Sequence, residues 1–253
     1  MFKIKQLFYS PVKSLSFSPI NKLEILNNIG IKFDRNFAFT RDLDDNKINH
    51  VMQNPLDRKI INFLSLKHFP DLNMYNFDFN NGFLYLKKNN NIILITDIKN
   101  EAEINILCDK MQELIPKVKR IRLLQDPVNP FFDTMPSKTI SLINLNSIRD
   151  FEKKLSKKIE FQRFRGNIYV DGLNPWDERN LINKTLIINN LKFKVTKEIP
   201  RCVATNIRPN SSETNLSIPI SLKQFYNHIN LGIYLIPLND GNIKSNDDIL
   251  IDG

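Results

Sequence analysis

Along its N-terminal part the chain alternates apolar and polar residues with the period of two that marks a half-buried strand, beginning with Phe2-Lys3-Ile4-Lys5-Gln6-Leu7-Phe8. The pattern predicts strands over residues 3–11, 22–27 and 30–40, with Gly30 at the turn before the last of them. Residues 83–86 and 92–96 flank Lys87-Lys88-Asn89-Asn90-Asn91 and read as a hairpin, because asparagine tolerates the left-handed backbone that a tight turn needs. The period then changes. Ala102, Ile106, Leu107, Met111 and Leu114 recur at helical spacing, and Pro116 ends the helix predicted over residues 99–115. Residues 118–137 carry Pro127, Pro130 and Pro136 without periodicity and mark a boundary, dividing the chain into 1–120 and 121–253. Beyond it a buried strand (139–143) leads into a helix (147–156). Strands follow at 167–171, 185–188, 191–196 and 203–207, then a short helix at 221–227 and a strand at 232–238. Many short strands with few helices give a mainly β, α+β fold: a β-barrel core preceded by a smaller β-rich N-terminal domain, with helical insertions.

Composition changes this picture little. With 42% hydrophobic and 25% charged residues the chain is that of an ordinary globular protein, long enough at 253 residues for a full core. Its longest apolar runs, such as residues 92–95 and 233–237, fall far short of a bilayer span, so no membrane partner is expected. The N-terminus lacks the apolar stretch and small-residue cleavage site of a signal peptide, and the expected location is cytoplasmic. The formal charge of +9 invites a nucleic-acid reading, but lysine is scattered among asparagine and isoleucine, with no basic stripe carrying interleaved aromatics. No nucleic-acid partner is therefore expected. A small anionic ligand needs only a few convergent arginines and lysines.

Two cysteines, Cys108 and Cys202, are too few for a disulfide framework, a structural zinc site or an iron–sulfur cluster. Any electrons the protein uses must come from elsewhere. Cys108 falls on the predicted helix between Leu107 and Asp109 and reads as a structural thiol. The three histidines, His50, His68 and His228, stand at no recognisable nucleophile, base or metal motif.

Three polar clusters lie in apolar surroundings. Tyr9-Ser10-Pro11-Val12-Lys13-Ser14-Leu15 ends a strand at proline and presents Lys13 beside Ser14. Arg163-Phe164-Arg165-Gly166-Asn167 runs into an apolar strand, and Pro200-Arg201-Cys202-Val203-Ala204-Thr205 holds the second cysteine. Arginine offers a donor fork that matches phosphate, lysine a mobile point charge, and a thiolate ligates soft metals or attacks sulfur. Each cluster also has a plain structural reading. Lys13 could be a strand-end charge, Arg163 and Arg165 could pair with Asp171 or Glu178, and Cys202 could be a small core filler.

Taken in order, Ser141-Leu142-Ile143-Asn144-Leu145-Asn146-Ser147, then residues 163–168, Trp176-Asp177-Glu178 and Arg201-Cys202-Val203-Ala204-Thr205 resemble the MOSC domain, the module named for the C-terminal part of molybdenum-cofactor sulfurase. Upstream, residues 9–15 and Asp34-Arg35 resemble the β-barrel domain that precedes it in the mitochondrial amidoxime-reducing component and its bacterial relatives. The resemblance implies molybdenum cofactor (Mo-molybdopterin) as the ligand. It assigns Cys202 as the residue whose sulfur binds the metal. Lys13, Ser14, Arg35, Arg165 and Asn167 are implied to hold the cofactor's phosphate and pterin, with Ser147 and Arg201 near the same site and Glu178 at an acidic family position.

The implied activity is reduction of small N-oxygenated substrates such as amidoximes or hydroxylamines. Reduction would draw on a separate donor, ferredoxin-like or cytochrome b5-like with its reductase, because no ferredoxin-like extension follows residue 253 in this sequence. Two other readings use the same thiol: a sulfur carrier or transferase with a persulfide on Cys202, and a cofactor carrier without turnover. The chain departs from the family's pattern where Ser245-Asn246-Asp247 replaces a Gly-Asp and Asn189-Asn190 replaces a glycine-containing turn, both consistent with asparagine serving where glycine is usual.

Overall fold

A computed structural model of the protein describes residues 2–132 and 138–252. The part of the proposed boundary that includes Pro136 lies outside the described residues. Seven strands form a closed barrel: β1 (Phe2–Tyr9), β2 (Ile140–Asn144), β3 (Ile168–Asp171), β4 (Thr185–Ile188), β5 (Leu191–Pro200), β6 (Asn230–Pro237) and β7 (Asp248–Asp252). Their order around the ring is β3-β2-β6-β5-β4-β7-β1, and β1 returns to pair with β3. Only the β2–β3 pair is parallel among the described barrel strands. A parallel pair needs a crossover, which here carries helix α3 (Leu145–Leu155) and a 3-10 turn, Phe161–Phe164.

The barrel interior is filled by Ile4, Leu142, Val170, Leu186, Phe193, Leu235 and Ile249 among others, all buried. β2 is buried at every position because its other face is covered too, with Ile143 packing beside Ile148 and Phe151 of α3. The hairpin from β4 to β5 turns at Asn189 and Asn190, both at positive φ, as do Asn89, Asn90 and Asn246. Asparagine thus takes the left-handed positions the sequence assigned to it.

A second core lies in the N-terminal half. An antiparallel sheet of Tyr75–Asn80, Phe83–Lys88 and Asn91–Asp97 packs through Phe77, Leu84 and Leu86 against Leu107 and Met111 of helix α2 (Glu101–Leu114). Asn100 caps α2 by accepting from the amides of Ala102 and Glu103. Phe37–Phe39 pairs with Leu123–Gln125 beside that core. Strand pairing crosses the boundary set at residues 120 and 121: β1 closes the barrel, with Lys3 opposite Asp171 and Phe2 opposite Ile249.

Two expected strands are something else. Residues 30–40 form only Gly30–Ile31 and Phe37–Phe39, because Phe33 and Arg35 adopt positive φ and break the run between them. Residues 203–207, apolar at Val203, Ala204 and Ile207, form a 3-10 turn (Val203–Asn206) that begins at Cys202. Among the described residues no helix is long and apolar enough to cross a membrane.

Candidate functional site

The first polar cluster folds into a compact turn after β1. Pro11 cannot donate to a ladder, and Leu15 donates from its amide to the Val12 carbonyl at 3.2 Å, with Ser14 at φ +63°. Ser16 closes the turn by accepting from the Val12 amide at 3.1 Å through its hydroxyl and from the Ser10 hydroxyl at 2.7 Å through its carbonyl. The turn runs beside residues 35–37. The Arg35 amide donates to Ser10 O at 2.6 Å, Phe37 N to Pro11 O at 3.0 Å and Lys13 N to Phe37 O at 2.8 Å. Lys13 and Ser14 are thereby fixed next to Arg35. The Lys13 ammonium is buried, donating to the Phe131 carbonyl at 3.3 Å, and Phe131 in turn donates from its amide to Arg35 O at 2.8 Å.

Arg165 enters from the other half. It follows the Phe161–Phe164 turn at φ +48°, lies half-buried over the Phe17 ring at 5.4 Å, and donates to the carbonyl of Ser14 at 3.1 Å and to that of Ser16. Burial, then the nearby Arg35 charge, lowers its pKa to about 10. One buried carboxylate, Asp34, is ion-paired with Arg35 and accepts from the Ser10 amide at 2.6 Å. Burial pushes the Asp34 carboxyl up, opposed chiefly by Arg35. The Arg35 and Arg165 charges act on one another with only the Asp34 carboxyl between them in the charge balance, so an anion placed there would relieve repulsion already built into the fold.

Ser14, Arg35 and Arg165 all hold left-handed backbone, which β-carbon-bearing residues avoid at a cost of about 1–3 kcal/mol each. Strain of this kind persists where surrounding structure enforces it, and here it gathers at one corner. Ser14 and Arg165 line a groove of about 1050 Å³ between the halves, together with Phe17, Phe161, Arg163 and Ala204. Ala204 belongs to the turn that starts at Cys202, whose side chain is exposed. The same turn sends Ala204 and Ile207 into the N-terminal core. The turn therefore lies at the seam, with Ala204 at the groove and the Cys202 side chain reachable from solvent.

The remaining expected contacts are turned inward. Asn167 accepts from the Ser141 hydroxyl at 2.8 Å and donates to Phe8 O at 3.3 Å, tying β1 to β2. Ser147, fully buried, donates to Glu178 at 2.8 Å and accepts from the Trp176 amide at 2.8 Å; Asn144 also donates to Glu178 at 2.9 Å. Arg201 is buried and gives its guanidinium to the carbonyls of Leu231 and Phe164. These three serve the frame of the site through bonds already filled. Arg163 pairs with Glu160, not with Asp171 or Glu178, whose partners are Arg149 and the Asn144–Ser147 pair. Asp34 was visible only as part of Asp34-Arg35, and its role as the buried partner of Arg35 has no local signal beyond an acid inside an apolar run.

The donor set fits a phosphate-bearing, sulfur-rich ligand: arginine forks and a buried ammonium at one side, a single exposed thiol at the other. Among the described residues no group of three or more His, Cys, Asp or Glu converges, so the protein itself would offer a metal one sulfur.

The family model described as the MOSC domain matches residues 131–250. The chain is similar to the molybdenum cofactor sulfurase of Caenorhabditis briggsae, 25% identical over 92% of this chain and 33% of that protein. It is also similar to mitochondrial amidoxime reducing component 2 of Rattus norvegicus, 30% identical over 34% of this chain and 25% of the other. The chain thus spans about a third or less of these curated relatives' lengths. Among solved structures, the YUAD protein from Bacillus subtilis aligns over 99% of this chain and 94% of its own with 12% identity and a TM-score of 0.46. Within the matched stretch lie Arg165 and Cys202, whereas Lys13, Ser14 and Arg35 come from the preceding region; the groove, lined by Ser14 and Arg165, draws on both.

Proposed function

We propose that the chain binds molybdenum cofactor in this groove and reduces N-oxygenated compounds with electrons from a separate donor protein. The observation that carries the reading is the exposed Cys202 thiol, two residues from Ala204 in a groove that Arg165 also lines, with the Arg35 charge close to that of Arg165. Arg165, Arg35 and Lys13 would neutralise the ligand's phosphate, and Ser14 would offer a hydroxyl at the groove wall. Phe17 and Phe161 present aromatic surface for a planar ring. When bound, the cofactor supplies a centre that accepts an oxygen atom while changing by two electrons, with Cys202 as its protein sulfur. In the overall reaction an N–O bond breaks, and two electrons from the donor with two protons from solvent yield the N–H product and water.

The relatives' names support both amidoxime reduction and sulfur transfer. The exposed thiol also suits a persulfide carrier, which is the second reading.

Metal and released pterin per chain, measured after expression in a host that makes the cofactor, test the proposal. Near-stoichiometric metal that is lost in Cys202→Ala, with turnover of an amidoxime by chemically supplied electrons, is the expected result. Absence of metal and pterin from wild type, with a labile extra sulfur on Cys202 by mass spectrometry, would replace it with the carrier reading.

A further inference from the structure

Adjacent residues in the Arg165 segment are tied to opposite flanks of Cys202. On the side before the cysteine, Arg201 sends Nη1 to the Phe164 carbonyl at 2.9 Å and Nε to the Leu231 carbonyl at 2.8 Å, with its own amide donating to Ile229 O at 2.9 Å. On the side after it, Arg163 sends Nη1 to the Asn206 carbonyl at 2.9 Å, where the turn that begins at Cys202 ends. The rest of the Arg163 fork is filled by Glu160 and by Asn215 Oδ1, each at 2.8 Å. Both guanidiniums are buried, that of Arg163 to 1% exposure. Within the turn, the Cys202 carbonyl accepts from Thr205 N at 3.0 Å and Thr205 Oγ1 at 2.8 Å.

We propose that Arg163 and Arg201 are positioning residues forming a cross-brace that fixes the Cys202 turn against the strained backbone of Arg165. The inference rests on the reading that Cys202 and Arg165 serve one ligand, and it names what sets their separation. The planar fork of arginine suits this task because it reaches several fixed acceptors at once in a rigid geometry. Here the carbonyls of Phe164, Asn206 and Leu231 are main-chain atoms, so the brace acts on backbone position and not on a side chain that could swing away. The Cys202 turn needs such holding. Its thiol is exposed, and the turn is a single 3-10 turn whose own bonds are few. A ligand gripped at both ends is held well only when its two grips keep their spacing.

A nitroxide attached to Cys202 in the purified chain reads the mobility of this turn whether or not cofactor is present, while Cys108 is buried and outside the reach of the reagent. Wild type is expected to give an immobilised spectrum. Arg163→Met should lose much of that component while far-ultraviolet circular dichroism and cooperative unfolding persist, and Arg163→Lys should restore part of it. Should Arg163→Met fail to fold, Asn215→Ala decides, since it removes one exposed acceptor of the fork and should loosen the label to a lesser degree. A folded Arg163→Met, or in its absence Asn215→Ala, with a spectrum superimposable on wild type would overturn the brace. Metal and pterin per chain are measured on the same proteins: their absence from wild type sinks the cofactor reading and leaves the label result to decide the brace alone.

Discussion

Gly232 on β6 holds φ at +83°, and a Cβ there would lie 2.6 Å from both the Leu142 carbonyl oxygen and Ile143 Cδ1, and 3.2 Å from Arg201 Nη2. The Ile143 methyl can rotate aside. The Leu142 oxygen belongs to the β2–β6 ladder, where Leu142 faces Ile233, and cannot retreat without opening that pairing. Left-handed backbone costs an L-residue roughly 1–2 kcal/mol, and forcing a methyl into a packed wall adds about 1–3 kcal/mol. Gly232→Ala is therefore expected to lose about 2–5 kcal/mol of stability in total. Gly82 supplies the control. It has φ +87° but open space within 4 Å, so Gly82→Ala should show the backbone cost of roughly 1–2 kcal/mol alone. Urea unfolding followed by circular dichroism, compared at equal m-value, measures both. If Gly232→Ala costs no more than Gly82→Ala, the close approach of β2, β6 and Arg201 is not what the position demands.

Three further outcomes follow from other parts of the structure. Arg58 is buried against Asp126 at 2.5 Å and also donates to Val51 O at 2.9 Å, so Arg58→Met should destabilise by about 3–5 kcal/mol, read by thermal or urea unfolding; a loss below experimental error would show the pair to be dispensable. Burial raises the Glu178 carboxyl above its ordinary value, so its protonated form favours the folded state, and that contribution is present in acid and fades as pH rises through the raised value. Wild type should accordingly lose stability relative to Glu178→Gln between acid and neutral pH, and parallel stability–pH curves would refute this. In native protein a thiol reagent should titrate Cys202 alone, with Cys108, buried and pushed up in pKa by that burial, reacting only on unfolding; a second fast thiol, or one surviving in Cys202→Ala, would contradict the assignment.

Local pattern made the hairpins and α2 readable, because asparagine turns and a helical period are written in consecutive residues. Closure of the barrel was not, since nothing near Phe2–Tyr9 announces that its neighbours are Ile168–Asp171 and Asp248–Asp252. The strands Gly241–Lys244 and Asp248–Asp252 are too short to carry a pattern of their own, and their place is set by pairing with residues 23–25 and with β1 and β4. At the site, Lys13, Ser14, Arg35, Arg165 and Cys202 were visible as residue types in the right order. What the sequence could not show was direction. Ser147, Asn167 and Arg201 stand in the same motifs, yet their donors and acceptors are spent within the protein. Residues 203–207 have a strand's apolar content, but Ala204 and Ile207 are buried in the N-terminal core by a 3-10 turn, a choice made by packing from the other half.

The position of β1 in the ring has a consequence for synthesis. The strand is synthesised well before these neighbours, so Lys3 must wait for Asp171, and Phe2 for Ile249. At about 5–20 residues per second, β1 spends roughly 10–50 s without its final neighbours. In that interval Phe2 and Ile4, both buried in the finished barrel, lack their barrel partners, while Leu7 can already pair with Ile20. The N-terminal core can assemble meanwhile, because its strands and α2 are close in sequence. Sealing the barrel has to follow the synthesis of residues 248–252, the strand that joins β1 to β4.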